Sequence, residues 1–320
     1  MARLHEYQGK ALLAEQGIAI PRGRSTSKAG EAAEIAAEIG GPVVVKIQAW
    51  TTGRAAIGGV RFAETPGQAA AHAETLLLMR VGNFPVQRVL VEERLDIARE
   101  FFVSLFISDA GRSPVILFAA SGGSGIEQRA SEVRRLSCDV AEGPGRGELA
   151  EAVAAAGVDA AQHDMLIDAV RSVFDLAKRC DARSIEINPL VITGDGRVVA
   201  ADCRMTIDDY AVFRHPELGI DIARELDHPP TALERAAYEI EQADHRGTFY
   251  FAQLNTEAEE KALGTGHQAL ERKQQSTWKG GPSASAGSLR APEEGIRDQA
   301  SGNGEGIRDR ASGIGKEGTS

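Results

Sequence analysis

The sequence predicts an α/β or α+β fold with mixed sheets, because helix-like and strand-like segments interleave along most of the chain. Short β-branched runs alternate with alanine-rich amphipathic stretches. Two glycine-rich loops each follow a strand-like run, at residues 53–59 and 121–125. The 320 residues are enough for about two domains.

The elements follow from periodicity and from start and stop signals. Helical spacing ended by glycine or opened by cap-forming residues predicts helices over residues 4–17, 27–40, 66–80, 147–156 and 160–179. Short β-branched and apolar runs predict strands over residues 42–48, 60–62, 86–93, 100–108, 115–119, 184–192 and 197–202. Residues 18–24 contain Pro21 and predict an extended connector.

The last two of these strands predict a β-hairpin, since they flank a turn with two glycines at residues 194–196. Glu186 and Asn188 are two residues apart and should point to one face of the first strand. Asp202, on the returning strand, can face them across the pair. Such oxygen ligands suit Mg²⁺, which keeps several waters and takes one or two protein ligands together with substrate phosphates. An ordinary hairpin with a polar, solvated face is the alternative.

Lys46 ends a buried-looking strand and precedes a loop that contains Gly53 and Arg54. Glycines let backbone N–H groups approach phosphates and the cations neutralise them, so this segment is a candidate phosphate-binding loop. It is not a P-loop, since GxxxxGK[ST] is absent, and no strand is followed by GxGxxG. The alternative is a lysine whose amine simply reaches the surface.

Glu92 ends one predicted strand and Glu100 begins the next, with Leu95 in the short connector between them. A connector of this kind can act as a hinge whose backbone reads a purine edge. A glutamate there can bind a ribose hydroxyl or an adenine amino group. Solvated carboxylates at strand ends are the alternative interpretation.

Bulk composition excludes several classes of function. A net charge of −10 and a pI near 5.3 argue against nucleic acid or an anionic membrane as the main partner. No apolar run approaches the roughly 18 residues of a membrane span, and the N-terminus has no apolar core typical of a signal peptide. Three scattered cysteines favour a reducing cytoplasm over disulfides or zinc. The histidines show no Ser/His/Asp or HExxH spacing, which argues against nucleophilic or zinc-dependent hydrolysis.

Residues 255–320 differ in composition from the rest, being rich in Gly, Ser, Glu, Gln, Lys and Arg. Such a segment buries too little apolar surface to offset its chain entropy, which predicts disorder. Two copies of EGIRD-x-ASG recur with a period of 11 residues. Two glycine-rich copies are too few for a solenoid, and a repeated binding peptide is the alternative.

Several motifs, in this order, closely resemble the β subunits of ADP-forming succinate–CoA ligase and malate–CoA ligase. They are LHEYQ at 4–8, VVK at 44–46 before G-R-x-x-x-G-G, VLVE at 89–92, DIARE at 96–100, IEINPLVIT at 185–193, Asp202 and DDYAVFR at 208–214. The match covers about residues 1–254. The LHEYQ and IEINPLVIT segments are specific in combination, whereas each glycine loop alone is not.

The resemblance implies an ATP-grasp fold, in which two subdomains clamp a nucleotide. Residues 1–19 and 96–228 would form the Mg/ATP-binding subdomain and residues 20–95 the small one. Residues 229–254 would be a linker towards a flavodoxin-like domain that the resemblance does not extend into, followed by the tail. The resemblance also implies six nucleotide-binding residues, of which the first three hold the ATP phosphates: Lys46, Gly53, Arg54, Glu92, Leu95 and Glu100.

By the same resemblance, Asn188 and Asp202 would ligate Mg²⁺, and Glu186 would be the catalytic residue that contacts a phosphohistidine. That histidine and the CoA site would belong to a partner α subunit. The implied reaction converts ATP, a small carboxylate and CoA to ADP, phosphate and acyl-CoA, through the phosphohistidine and an acyl phosphate. The cofactors would be ATP and Mg²⁺.

The sequence departs from the family in its phosphate loop. That loop usually reads HAGGRGKAGG and here reads WTTGRAAIGG at residues 50–59. Ala55, in place of a glycine, can reproduce the backbone contact only with a negative φ. Two other functions stay open: a stand-alone ATP-grasp carboxylate–amine ligase, and a truncated, inactive nucleotide-binding interaction protein.

Overall fold

The computed structural model describes residues 2–123, 132–220, 228–244, 246 and 248–253. Every sequence-predicted helix and strand has a counterpart in these residues, usually within about three residues of the predicted ends. The predicted disorder of residues 255–320 and the end of the second glycine loop, residues 124–125, lie outside them.

The helices of the described part have the following bounds: α1 (Glu6–Glu15), α2 (Ala29–Ile39), α3 (Pro66–Leu77), α4 (Arg146–Ala155), α5 (Ala160–Arg179) and α6 (Ala232–Ala243). The last of these lies in the segment expected to be a linker. Its start is explained by a capping box, in which Thr231 accepts from the Glu234 N–H and Glu234 accepts from the Thr231 N–H. None of the described helices is long and apolar enough to cross a membrane.

A four-stranded antiparallel sheet forms the first half of the fold. It contains β2 (Gly23–Thr26), β3 (Val43–Ile47), β4 (Val60–Ala63) and β7 (Val89–Glu93), in the order β2-β7-β3-β4. A two-stranded hairpin, β5 (Arg80–Val81) and β6 (Phe84–Pro85), follows α3. Part of the predicted connector 18–24 is therefore strand β2, at the edge of this sheet, where its polar sequence gave no strand signal.

A larger sheet forms the second half, and its strands are β1 (Ala2–Arg3), β8 (Ile97–Ser108), β9 (Ser113–Ala119), β10 (Arg134–Asp139), β11 (Gly143–Pro144), β12 (Ala182–Thr193), β13 (Val198–Ala200) and β14 (Arg204–Ile207). The order in the described residues is β1-β14-β12-β8-β9-β10-β11, with β13 also paired to β12. The long strands β8 and β12 lie side by side at its centre. Two 3₁₀ helices, Asp209–Arg214 and Pro216–Leu218, follow the last strand.

Each sheet buries its own apolar core. In the small sheet, α2 and α3 cover one face, and Ile35, Val45 and Leu76 are fully buried there. In the large sheet, α1, α4 and α5 cover a core that includes Leu105 and Phe118. Burying one such side chain stabilises the fold by about 1.5–3 kcal/mol. Two separate cores are compatible with the predicted division into two subdomains. The subdomain boundaries at residues 20 and 96 stay a prediction.

Candidate functional site

Strands β12 and β13 form the predicted hairpin. The returning strand ends at Ala200, so Asp202 lies two residues beyond it, in the segment that leads to β14, and not on the strand as predicted. The Ala201 N–H donates to the Pro189 carbonyl at 3.0 Å, which extends the pairing past the strand end. This contact keeps the chain around Asp202 beside the chain around Asn188.

Glu186 and Asn188 are half-buried and alternate with the buried Ile185 and Ile187, so they share one face of β12 as their spacing predicts. The next strand, β14, places Arg204 opposite Glu186. Their charged groups approach to 3.7 Å, and about a third of the Glu186 side chain is exposed. Glu186 is therefore a partly solvated carboxylate that a group from outside the chain can reach.

Asn188 holds the start of the second glycine loop. Its side-chain oxygen accepts from the Gly123 N–H at 2.7 Å, and its amide nitrogen donates to the Gly123 carbonyl at 3.3 Å. Gly123 has a φ of +83°, which favours glycine. A Cβ at this position would lie 2.9 Å from an oxygen of Glu100, so Glu100 and Asn188 meet at Gly123. Two of the predicted site residues are thus brought together from different strands.

Lys46 lies near the end of β3 and points between the two halves of the fold. Its ammonium donates to Glu6 at 2.9 Å and to the Ala201 carbonyl at 2.8 Å, and it lies 2.9 Å from an oxygen of Glu92. Only about a tenth of its side chain is exposed. The lysine therefore does not extend to the surface, and its role in binding phosphates stays a prediction.

Arg54 follows Gly53, whose φ of +64° turns the loop after β3 back towards the hairpin. One guanidinium nitrogen, Nη2, donates to both oxygens of Asp202 at 2.8 Å, and the other, Nη1, donates to Glu6. The proposed phosphate-binding arginine and the proposed metal ligand are thus paired with each other. Ala55, the next residue, does not have a positive φ. An alanine at this position can therefore adopt the backbone conformation that the contact of the family's glycine requires.

Glu92 is buried and not at a solvated strand end. Both of its oxygens lie 2.7 Å from the ammonium of Lys10, which also lies 2.9 Å from the Ala201 carbonyl and 2.9 Å from an oxygen of Glu6. The side chains of Glu92 and Lys10 are each 2% exposed. Leu95 lies half-buried in the connector from β7 to β8. The structure thus joins Glu92 to the cation cluster rather than to an open cleft.

These contacts form one buried group of three cations and three carboxylates, here called the ionic cluster: Glu6, Lys10, Lys46, Arg54, Glu92 and Asp202. Burial alone raises the pKa of Glu6, yet Lys10, Lys46 and Arg54 hold that pKa well below its usual range. Burial lowers the pKa of Lys46, but Glu6 and Glu92 more than offset it and raise that pKa overall. Glu6 and Lys46 are therefore both charged at neutral pH.

Two members of the ionic cluster, Glu6 and Lys10, were not predicted from the sequence as site residues. They lie four residues apart on α1, and a pair at this spacing ordinarily reads as an exposed helical salt bridge. One available signal is that the apolar residues Leu12 and Leu13 follow closely on a short helix. Residues 6, 10 and 13 fall on one face of this helix, so the face that buries Leu13 also buries the two charges.

An aromatic contact attaches the phosphate loop to α1. The His5 ring stacks on Trp50 with centroids 4.7 Å apart and planes 9° apart, and on Tyr7 at 6.0 Å. Burial, with the charges of Arg88 and Arg54, lowers the pKa of His5 to about 4. The imidazole is therefore neutral at physiological pH, as its stacking beside two arginines requires.

Asn188 and Asp202 supply one amide and one carboxylate oxygen group on adjoining segments, with Arg54 beside them. This donor set fits Mg²⁺, which takes few protein ligands and fills the remaining positions with water and phosphate oxygens. It does not fit a cage made wholly of protein ligands: the described residues hold no group of three or more His, Cys, Asp or Glu placed to bind a metal. The two oxygen ligands and the two neighbouring cations suit a metal–polyphosphate complex.

The arrangement agrees with a comparison against known families. Residues 3–192, more than half of the sequence, match the model of the ATP-grasp domain. The chain belongs to the ATP-grasp family. The α/β (α+β) class and the ATP-grasp fold expected from the sequence are confirmed. The sheets were expected to be mixed, but the named strands of the described residues pair antiparallel, because hairpins and returning strands connect them.

Among curated proteins, this ATP-grasp chain is 37% identical over 230 residues to the β subunit of GDP-forming succinate–CoA ligase from Thermus thermophilus. The match covers 71% of this chain and 61% of that subunit. It is 36% identical over 239 residues to β subunit 1 of the ADP-forming enzyme from Archaeoglobus fulgidus, covering 73% and 62% respectively. The chain thus spans about three fifths of the length of these relatives.

Among solved structures, the ATP-grasp chain is similar to ATP citrate lyase from Methanothrix soehngenii in complex with citrate and coenzyme A. The TM-score is 0.60 at 19% identity, and the match covers 76% of this chain and 60% of that one. At this identity the likeness concerns the fold, which it supports independently of the sequence relatives.

Proposed function

We propose that this ATP-grasp chain is the nucleotide-binding part of an ADP-forming acid–CoA ligase of the succinate–CoA ligase type. The overall reaction is ATP, a carboxylate and CoA to ADP, phosphate and acyl-CoA. The observation that carries the proposal is the convergence of Lys46 and Arg54 with Asp202 in one buried cluster. Identity of 36–37% to succinate–CoA ligase β subunits supports the reaction class.

In this proposal Lys46 and Arg54 neutralise the phosphates of ATP, while Gly53 allows the loop backbone to approach them. Leu95 and Glu100 line the nucleoside side, while Glu92 contributes to the nucleotide site by holding Lys46, whose ammonium lies 2.9 Å from one of its oxygens. Asn188 and Asp202 hold Mg²⁺, which when bound supplies positive charge to the phosphoryl group being transferred. The protein's work in this step is positioning and charge neutralisation.

Glu186 is the proposed catalytic residue, on the same face of β12 as Asn188. Its carboxylate would orient and stabilise the imidazole of a histidine that a partner α subunit brings to the cleft. That subunit would also carry the CoA site, and the phosphohistidine would pass its phosphoryl group to the carboxylate substrate. The partial exposure of Glu186 supports this role, because a residue that serves a partner must be reachable.

The test combines the full chain with a candidate α subunit and γ-labelled ATP with magnesium. The expected result is an acid-labile label on a histidine of the α subunit, which Glu186→Gln reduces strongly without weakening ATP binding. Asp109→Asn, an exposed carboxylate that pairs with Arg183 of the same strand as Glu186, is the matched control and should label as the unaltered chain does. A complex that binds ATP with magnesium but never transfers label would overturn the ligase proposal.

A further inference from the structure

We propose that the Glu6 carboxylate acts as a stand-in for a nucleotide phosphate. It pairs with Lys46 and Arg54 when no nucleotide is bound, and it lowers the affinity for ATP by competing with the phosphates for these two cations. The inference rests on the proposed nucleotide-binding function and adds to it a residue that sets the affinity of that site. Glu6 would act on the two cations and not on the reacting atoms.

The first argument is the count of donors on Lys46. An ammonium group has three N–H donors. Three acceptors from the chain itself surround this one: Glu6 at 2.9 Å, the Ala201 carbonyl at 2.8 Å and Glu92 at 2.9 Å. A phosphate oxygen can bind Lys46 only if one of these acceptors gives way.

Arg54 is occupied in the same manner. Its Nη1 donates to Glu6 and, at 3.2 Å, to the Ile47 carbonyl, while its Nη2 is held by both oxygens of Asp202. A guanidinium presents the same fork of donors to a phosphate as to a carboxylate. The carboxylates of Glu6 and Asp202 thus hold the donors that a polyphosphate would use.

Of the three carboxylates in the ionic cluster, Glu6 is the one that an incoming phosphate can displace. Glu92 is held by Lys10 through both oxygens, and Asp202 exchanges one cation for another when Mg²⁺ arrives. Glu6 is also bonded to Lys10 at 2.9 Å, so it keeps one cation after it releases Lys46 and Arg54. With only 2% of its side chain exposed, it opposes an incoming polyanion with little screening by solvent.

Two effects of opposite sign follow for Glu6→Gln. The empty protein should become less stable, because buried cations lose a partner. ATP should bind about tenfold more tightly, because the competing charge is gone and the two cations have free donors. A residue that merely supports the fold, or that positions the cations for ATP, would instead leave the affinity unchanged or weaken it.

The experiment is calorimetric titration of the full chain with ATP and magnesium, alongside adenosine, combined with thermal unfolding of the empty protein. For Glu6→Gln we expect the dissociation constant for ATP to fall about tenfold. The dissociation constant for adenosine should stay unchanged, and the unfolding temperature of the nucleotide-free protein should drop. Glu15→Gln is the matched control on the same helix, where the exposed pair with Arg179 should matter little. Should Glu6→Gln not fold, Glu6→Asp retains the charge on a shorter stem and should tighten ATP binding to a smaller degree.

Equal or weaker ATP binding by the folded variant, with normal binding by the unaltered chain, overturns the inference and leaves the proposed function intact. An equal gain for adenosine overturns it as well, since the effect would then not concern phosphates. No ATP binding by the unaltered chain overturns both.

Discussion

Both oxygens of the Glu92 carboxylate lie 2.7 Å from the Lys10 ammonium, and neither side chain is more than 2% exposed. The pair links α1 of the large half to β7 of the small half. A buried pair of this kind adds little over an apolar pair of equal size, but losing one partner strands a charge in the interior. The cluster is therefore most informative when its members are removed singly.

Lys10→Met should lower the free energy of unfolding by about 3–5 kcal/mol, because Glu92 and Glu6 lose a buried cation. The measurement is urea denaturation, in which the midpoint should fall while the dependence of the free energy of unfolding on urea concentration stays unchanged. Lys28→Met is the matched control, since Lys28 pairs with Glu31 at the surface, and should cost no more than about 0.5 kcal/mol. The double variant Lys10→Met/Glu92→Gln should regain part of the loss; losses that simply add would show that the two groups do not interact.

Asp202→Asn should remove the dependence of ATP binding on magnesium. The carboxylate is the only charged oxygen ligand proposed for the metal, and its side chain is about a quarter exposed. We expect the free energy of unfolding to fall by at most about 1–2 kcal/mol, because Arg54 retains Glu6. Titration with ATP at several magnesium concentrations checks this.

The control for this variant is Asp195→Asn, on the turn of the same hairpin, where the exposed aspartate pairs with Arg197. Its ATP binding should keep the normal response to magnesium. Retention of that response by Asp202→Asn would place the metal elsewhere, and collapse of its fold would identify Asp202 as structural.

Gly123→Ala should weaken the contact between Asn188 and the second glycine loop. The new Cβ would meet a Glu100 oxygen at 2.9 Å, and the φ of +83° disfavours any side chain. We expect a loss of about 1–3 kcal/mol in stability and weaker nucleotide binding, measured by thermal unfolding and calorimetry. Gly30→Ala is the contrasting variant: it lies in α2 with open space around it and should stabilise by about 0.5–1 kcal/mol. Equal effects of the two changes would contradict this account of Gly123.

Stability should fall on acidification because of His5. Its pKa is about 4 in the folded protein and about 6.5 unfolded. Between these values the unfolded chain binds more protons, so the contribution is complete above pH 6.5 and is lost as the pH falls to 4. The loss should amount to about 3 kcal/mol.

The measurement compares urea denaturation between pH 4 and 7 for the unaltered chain and for His5→Phe, which keeps a ring against Trp50 without a titrating group. The difference between the two isolates His5 from the carboxylates that titrate in the same range. Parallel curves for the unaltered chain and His5→Phe would mean that His5 is not the group responsible.

The hairpin and the long helices were predictable because each is specified locally. The two-glycine turn at 194–196 and the alternation around Ile185 and Ile187 are read within a dozen residues. The short strands β1, at the edge of the sheet, and β14, its neighbour, escaped prediction, because two to four residues carry no period and are defined only by their partners. Helix α6 lies in the predicted linker, although Thr231 and Glu234 have the spacing of a capping box that starts a helix.

The site was predictable in part for a similar reason. Lys46, Arg54 and Asp202 carry the chemistry by residue type, and their order along the chain resembles a known family. That Arg54 pairs with Asp202, 148 residues away, is a tertiary fact that no local pattern contains. Glu6 and Lys10 escaped because an acidic and a basic residue four apart on a helix are common on surfaces, and the helical face that they share with Leu13 is only a weak sign of burial.

The pairing of β1 with β14, in which Ala2 lies opposite Ile207, has a consequence for the time course of synthesis. At about 5–20 residues per second, Ala2 waits roughly 10–40 s on the ribosome before its partner exists. The small sheet waits far less, because its strands all lie between Gly23 and Glu93. The nascent chain can therefore complete the small half first, and the first strand joins its sheet only after some two hundred residues have followed it.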